Sequence, residues 1–116
     1  MLSLSPQLTP ILLLLLSNLF MTTAWYGHLK FPGLSMPVVI VASWAIAFFE
    51  YCLAVPANRL GYGVYSAGQL KAMQEVISIA IFVGFSALVL GEEIGVKQMA
   101  GFLLLAAGAF LVFDGG

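Results

Sequence analysis

The chain reads as an all-α integral membrane protein with four transmembrane helices, and three observations carry that reading. Of its 116 residues, 62% are hydrophobic and only 8% charged, whereas about 25% of residues in a soluble domain are charged. The apolar residues fall into four blocks, each approaching the ~20 residues that cross a hydrocarbon core. Short polar or glycine-rich stretches separate the blocks, so residues 1–116 form a single transmembrane domain. Little chain remains for an aqueous domain, which disfavours most enzyme classes. The net charge of −1 offers no basic stripe to a nucleic acid. One cysteine, Cys52, excludes an internal disulfide and any cysteine-rich metal site.

The first helix is expected over 7–27. Pro6 and Pro10 fall in its first turns, where a missing N–H costs nothing. Ile11 to Leu16 resembles the apolar region of a signal peptide, but no basic segment precedes it and three more spans follow, so it reads as a retained helix. Further along, Asn18, Thr22 and Trp25 share one face by i, i+4, i+7 spacing. Such a face either hydrogen-bonds between helices or lines a cavity. Trp25, Tyr26 and His28 then mark the membrane interface.

The second helix is expected over 35–57, ending where Pro56 and Asn58 discourage continuation. It carries Glu50, an acid deep in an apolar span. Charged side chains at such depth cost roughly 2.5–3.5 kcal/mol on insertion scales and face a bundle interior, a cavity or a partner. Ser43, Ala47, Ala54 and Ala57 share its face, a small-residue stripe suited to helix contact. Trp44, Phe48, Phe49 and Tyr51 surround it with aromatic surface.

A turn-rich linker follows over 58–68, then a third helix over 70–90 and a fourth over 96–113. Lys71 and Glu75 form an i, i+4 pair. Together with Arg59 they lie on the side where the second helix ends, either as ordinary interfacial charges or as a pathway mouth that tunes Glu50. Gly101 and Gly108 share a face of the last helix. Four spans put Arg59 and Lys71 on one side and Lys30 and Lys97 on the other. This balance leaves no positive-inside bias, permits insertion both ways and makes an antiparallel homodimer conceivable.

The run from Gly91 through Glu92, Glu93, Ile94 and Gly95 to Val96, followed by Gly101 and Gly108-Ala109, resembles the last turn and helix of small multidrug resistance proteins and of the wider drug/metabolite transporter superfamily. The strings SNLFMTTAWYGHLK, FFEY, VPANR and QLKAMQE resemble still more closely a small bacterial four-helix branch of that superfamily, one without an assigned substrate. The resemblance implies a multi-pass protein of the inner membrane, self-associating as a homodimer through Gly101 and Gly108. It also aligns Asn18 with the membrane-embedded glutamate of the small multidrug resistance proteins. Asn18 cannot titrate, so a coupling acid would have to be Glu50.

Two functions fit these residues. The first is a small transporter, moving a small metabolite or amphipathic cation by alternating access, with Glu50 binding substrate or proton, Asn18 and Thr22 on the cavity face, and Trp25, Trp44 and Tyr51 as aromatic walls. The second is a non-transporting accessory or structural subunit in which Glu50 makes buried hydrogen bonds or pairs with Arg59. An enzyme is not expected, because Ser17, Ser43, Ser78 and Ser86 have no intramembrane histidine as base. No cofactor or metal is implied, and the expected partners are the lipid bilayer and a second copy of the chain.

Overall fold

The computed structural model describes residues 5–116. These form four α-helices, α1 (Leu8–Tyr26), α2 (Met36–Gly61), α3 (Ala67–Leu88) and α4 (Val96–Asp114), with a 3₁₀ turn (Gly27–Lys30) continuing α1. All four are long and apolar enough to cross a membrane. Their starts have local causes. Ser35 precedes α2 in extended conformation and Pro37 occupies its first turn, where a proline is preorganised for the helix. Ser66 begins α3 with a capping box: its Oγ accepts from the Gln69 amide at 3.1 Å, and Gln69 Oε1 accepts from the Ser66 amide at 3.0 Å. The turn after α2 needs Gly63 at φ +109° and the turn after α3 needs Gly91 at φ +71°, a region that side chains with a Cβ avoid.

Two boundaries differ from expectation. α2 does not stop at Ala57 but runs through Pro56 to Gly61. Proline removes one N–H from the helical ladder, a break that transmembrane helices tolerate because neighbouring groups re-satisfy the freed carbonyl. The expected linker over 58–68 therefore contracts to residues 62–66, and the Ser66 cap starts α3 earlier than residue 70.

α1 is the centre of the fold. It packs against α2 on one side and α3 on the other, while α4 leans on α3. The order in space is α2, α1, α3, α4, an open row with principal extents of 45 × 37 × 22 Å. Its accessible surface of 7912 Å² exceeds the roughly 6,100 Å² expected for a compact monomer of this mass. The excess lies in α2 and α4, each of which buries only one narrow face.

On α2 that face is the small-residue stripe: Glu50, Ala57 and Gly61 are buried, and Ser43, Ala47 and Ala54 half-buried. On α4 the face against α3 carries Phe102, Ala106, Ala109 and Phe113 at i, i+4, i+7, i+11 spacing. Gly101 and Gly108 lie off this stripe, and a Cβ added to either would meet nothing within 4 Å.

The two ends of the row are tied unequally. Where α1 and α3 begin and α2 and α4 end, Tyr65 Oη donates to the Gln7 carbonyl at 3.0 Å, Gln69 Nε2 to the Phe113 carbonyl at 3.1 Å and Gln74 Nε2 to Asn58 Oδ1 at 2.9 Å. Gly61 sits there against Pro10 and Leu70. At the other end, Lys30 Nζ donates to the Val89 carbonyl at 2.9 Å.

Candidate functional site

Glu50 is placed by the length of α2. At 1.5 Å rise per residue it lies about 16 Å from the Gly61 end and about 21 Å from the Met36 end, close to mid-membrane and deeper than an end at Ala57 would put it. Its side chain turns toward α1 and is only 5% exposed. Ser17, 1% exposed, donates from Oγ to Glu50 Oε1 at 3.0 Å. Among the described residues no cation pairs with Glu50, and the ion pair that is present joins Lys71 Nζ to Glu75 Oε1 at 2.7 Å.

A groove of ≈580 Å³ runs beside the acid between α1 and α2. Met36 and His28 stand at its outer end, Ser43 and Trp44 partway along, and Glu50 with Tyr51 at its inner end. Apart from Glu50, His28, Ser43 and the tyrosine hydroxyl, its walls are apolar or aromatic. Trp44 and Tyr51 line the groove yet are 71% and 67% exposed, so the α2 wall is open to whatever lies outside the protomer. Phe48 and Phe49 do not line it; Phe49 stacks on Phe20 at 6.1 Å instead.

A second groove of ≈420 Å³ lies between α1, α3 and α4 and is lined by Thr22, Ser78, Phe82 and Phe102 among others. Met21 and Trp25 line both grooves. Thr22 therefore faces α3 rather than Glu50. Asn18 is buried, donates from Nδ2 to the Leu14 carbonyl at 2.8 Å and lines neither groove. Arg59 lies in a third cleft, with Asn58, Tyr62 and Gln74, and Lys71 and Glu75 sit on exposed α3 surface. The expected gathering of Arg59, Lys71 and Glu75 around Glu50 is thus not what the fold builds, because the continued α2 carries Arg59 about 13 Å along the helix from the acid. The Glu50–Arg59 pair expected of a structural subunit is likewise not formed.

Ser17 was missed as a site residue. Its spacing with Met21, Ala24 and His28, which line the groove, makes a face of α1 as regular as 18, 22, 25, but the spacing alone does not say which of the two turns to α2. Among the described residues no group of three or more His, Cys, Asp or Glu side chains is placed to hold a metal ion.

The carboxylate is under-satisfied for a purely structural group. Ionised, it offers about four acceptor positions, and Ser17 fills one. No buried side-chain nitrogen or oxygen lacks a partner among the described residues, so Oε2, which receives no protein donor, is not sealed in. It keeps accessible surface, and Glu50 is one of the residues that line the groove. The arrangement can therefore accept a proton or a cationic group from that side.

Residues 10–113 match the family model described as "Putative member of DMT superfamily (DUF486)". No curated protein and no solved structure matches the chain. The family match spans all four helices, Ser17 and Glu50 included, and the chain belongs to this family of the drug/metabolite transporter superfamily, with the transporter-type membrane role that such membership suggests.

Proposed function

We propose that the protein is a small transporter that moves a small metabolite or amphipathic cation across the bilayer by alternating access, with Glu50 as its binding acid and proton carrier. One observation carries the proposal: a buried carboxylate with a single protein donor and no ion-pair partner ends an apolar, aromatic-walled groove near mid-membrane. Membrane acids of this kind mark substrate and proton pathways. Trp25, Trp44 and Tyr51 line the groove, and aromatic rings attract a cation over their faces. Asn18 and Thr22 would serve by fixing α1 against its neighbours rather than by touching a ligand in the Glu50 groove.

The functional unit in this reading is a homodimer in the bacterial inner membrane, formed through the unpartnered Gly101–Gly108 face of α4 and antiparallel where the balanced charges allow both insertions. Gly108→Ala tests it: a Cβ there meets nothing within 4 Å in the protomer, so loss of the dimer in nanodiscs would report on the interface.

Transport is tested with purified protein in proteoliposomes and benzyltrimethylammonium as the probe cation, driven by an imposed proton gradient. Glu50→Gln should abolish accumulation. Uptake by that variant at the wild-type rate would remove Glu50 from the mechanism and favour the non-transporting subunit, in which Ser17 and Glu50 merely join two helices.

A further inference from the structure

Three hydroxyl and amide side chains in α1 turn back on the carbonyl four residues before them. Thr23 Oγ1 donates to the Leu19 carbonyl at 2.8 Å, Asn18 Nδ2 to the Leu14 carbonyl at 2.8 Å and Thr9 Oγ1 to the Ser5 carbonyl at 3.1 Å. This local bonding is the default for such residues in a helix. Ser17 departs from it. Its hydroxyl crosses to α2 and donates to Glu50 Oε1, with both residues buried.

A serine hydroxyl has one proton to give. Spent on Oε1, it divides the carboxyl group into an anchored oxygen and a presented one. We propose that Ser17 is the positioning residue for Glu50, holding Oε1 against α1 so that Oε2 alone faces the groove and receives the proton or the ligand's positive charge. The inference rests on the reading of Glu50 as the binding acid and adds which atom binds and what aims it.

When the acid is neutral, Oε1 accepts from Ser17, so the carboxyl proton sits on Oε2, on the groove side. Glu50 is a long side chain whose terminal torsion is soft. Without Ser17 the carboxyl plane turns freely, and a bound cation loses its fixed partner. The other titratable groups facing this space are His28 from the α1 end and Tyr51 from α2; α3 and α4 contribute none to the groove.

A second serine–glutamate bond supplies a control within the molecule. Ser86 Oγ donates to Glu92 Oε1 at 3.1 Å, and the Glu92 amide returns to the Ser86 carbonyl at 3.0 Å. That pair closes the α3–α4 turn, with Glu92 exposed, and lines neither of the two grooves beside α1. A serine–carboxylate bond by itself is therefore not a site; burial at the end of the groove distinguishes Ser17.

The experiment combines difference infrared spectroscopy with transport. In wild type, the neutral-carboxyl C=O band that disappears in Glu50→Gln is assigned to Glu50. Ser17→Ala should move that band to higher wavenumber, because Oε1 loses a donor, and should raise the KM for benzyltrimethylammonium about tenfold, the worth of one hydrogen bond to a charged group. The kcat should change by less than about twofold, the split expected when ground-state binding is lost. Ser17→Thr should restore both band and KM, and Ser86→Ala should move neither. An unmoved band in Ser17→Ala overturns the inference, and so does a moved band with unchanged KM, which would leave the bond structural. Wild-type transport by Glu50→Gln would instead overturn the parent reading, whatever the band does.

Discussion

Gly61→Ala is the most discriminating substitution in the fold. A methyl at this position would lie 2.8 Å from Leu70 Cδ2 and 3.2 and 3.3 Å from Pro10 Cβ and Cγ. Leu70 could rotate if it had space, but it is 4% exposed, and the Pro10 ring has no rotamer to give. Alanine in place of glycine in a helix otherwise gains up to about 1 kcal/mol, and less at this terminal position. Overpacking a filled site costs about 1–3 kcal/mol, so the variant should lose about 1–2 kcal/mol net.

Reversible unfolding in mixed micelles measures the difference. Gly84→Ala is the matched control, because a Cβ there meets nothing within 4 Å, and it should gain about 0.5–1 kcal/mol. A Gly61→Ala protein as stable as wild type, alongside a stabilised Gly84→Ala, would show that the α1–α2–α3 junction is not closely packed. The inference that this end of the molecule is its fixed end would fall with it.

Other substitutions separate the cap, the charges and the polar ties. Ser66→Ala removes the bond from the Gln69 amide to Ser66 Oγ, keeps the one from the backbone amide of residue 66 to Gln69 Oε1, and should lower unfolding stability by about 1 kcal/mol. Arg59→Ala should change it by no more than about 0.5 kcal/mol, since Arg59 makes no ion pair among the described residues; a loss of about 3–5 kcal/mol would reveal a buried partner. Gln74→Ala deletes the bond to Asn58 Oδ1 and should cost about 0.6 kcal/mol, the mean for polar contacts between membrane helices, read by the same titration.

The four spans were legible because hydropathy and length act locally. The α2 stripe was legible for a related reason: a helix with one packing face shows it as a single run of small residues, and Ser43 to Ala57 is that run. α1 is different. It touches two neighbours, so its polar residues serve two faces, and no periodicity tells which of 17, 21, 24 or 18, 22, 25 faces the acid. The choice of Asn18 and Thr22 followed the more polar stripe and found the α3 side. The end of α2 was misjudged because proline was weighed by its behaviour in water, whereas Pro56 sits inside a helix that hydrocarbon keeps intact. The Ser66–Gln69 capping pattern could have placed the start of α3, as serine followed three residues later by glutamine is a recognised helix start. The charges misled for a simpler reason: residues on one side of a membrane need not be neighbours, and Arg59, Lys71 and Glu50 occupy three separate places.

The inequality between the two ends bears on which end of the row loosens first. Three cross-element hydrogen bonds and the Gly61 contact hold the end where α1 and α3 begin; the Lys30 hydrogen bond and the edge-on contact of Tyr26 with Phe82, ring centroids 4.9 Å apart, hold the other. The groove starts at that weaker end, beside Met36 and His28, and stops at Glu50. Lys30 ties the segment after α1 to the end of α3, so its release loosens that end of the row without itself crossing the α1–α2 groove. Hydrogen exchange reports local opening on the minutes-to-hours scale. Backbone amides in 27–35 and 89–95 should exchange faster than those in 62–66, although all three segments are connections between helices. Lys30→Met should accelerate the first two segments and leave the third unchanged. Equal protection of all three, or a Lys30→Met effect spread evenly over the chain, would mean that the row of helices breathes as one body and that the Lys30 bond does not hold its end.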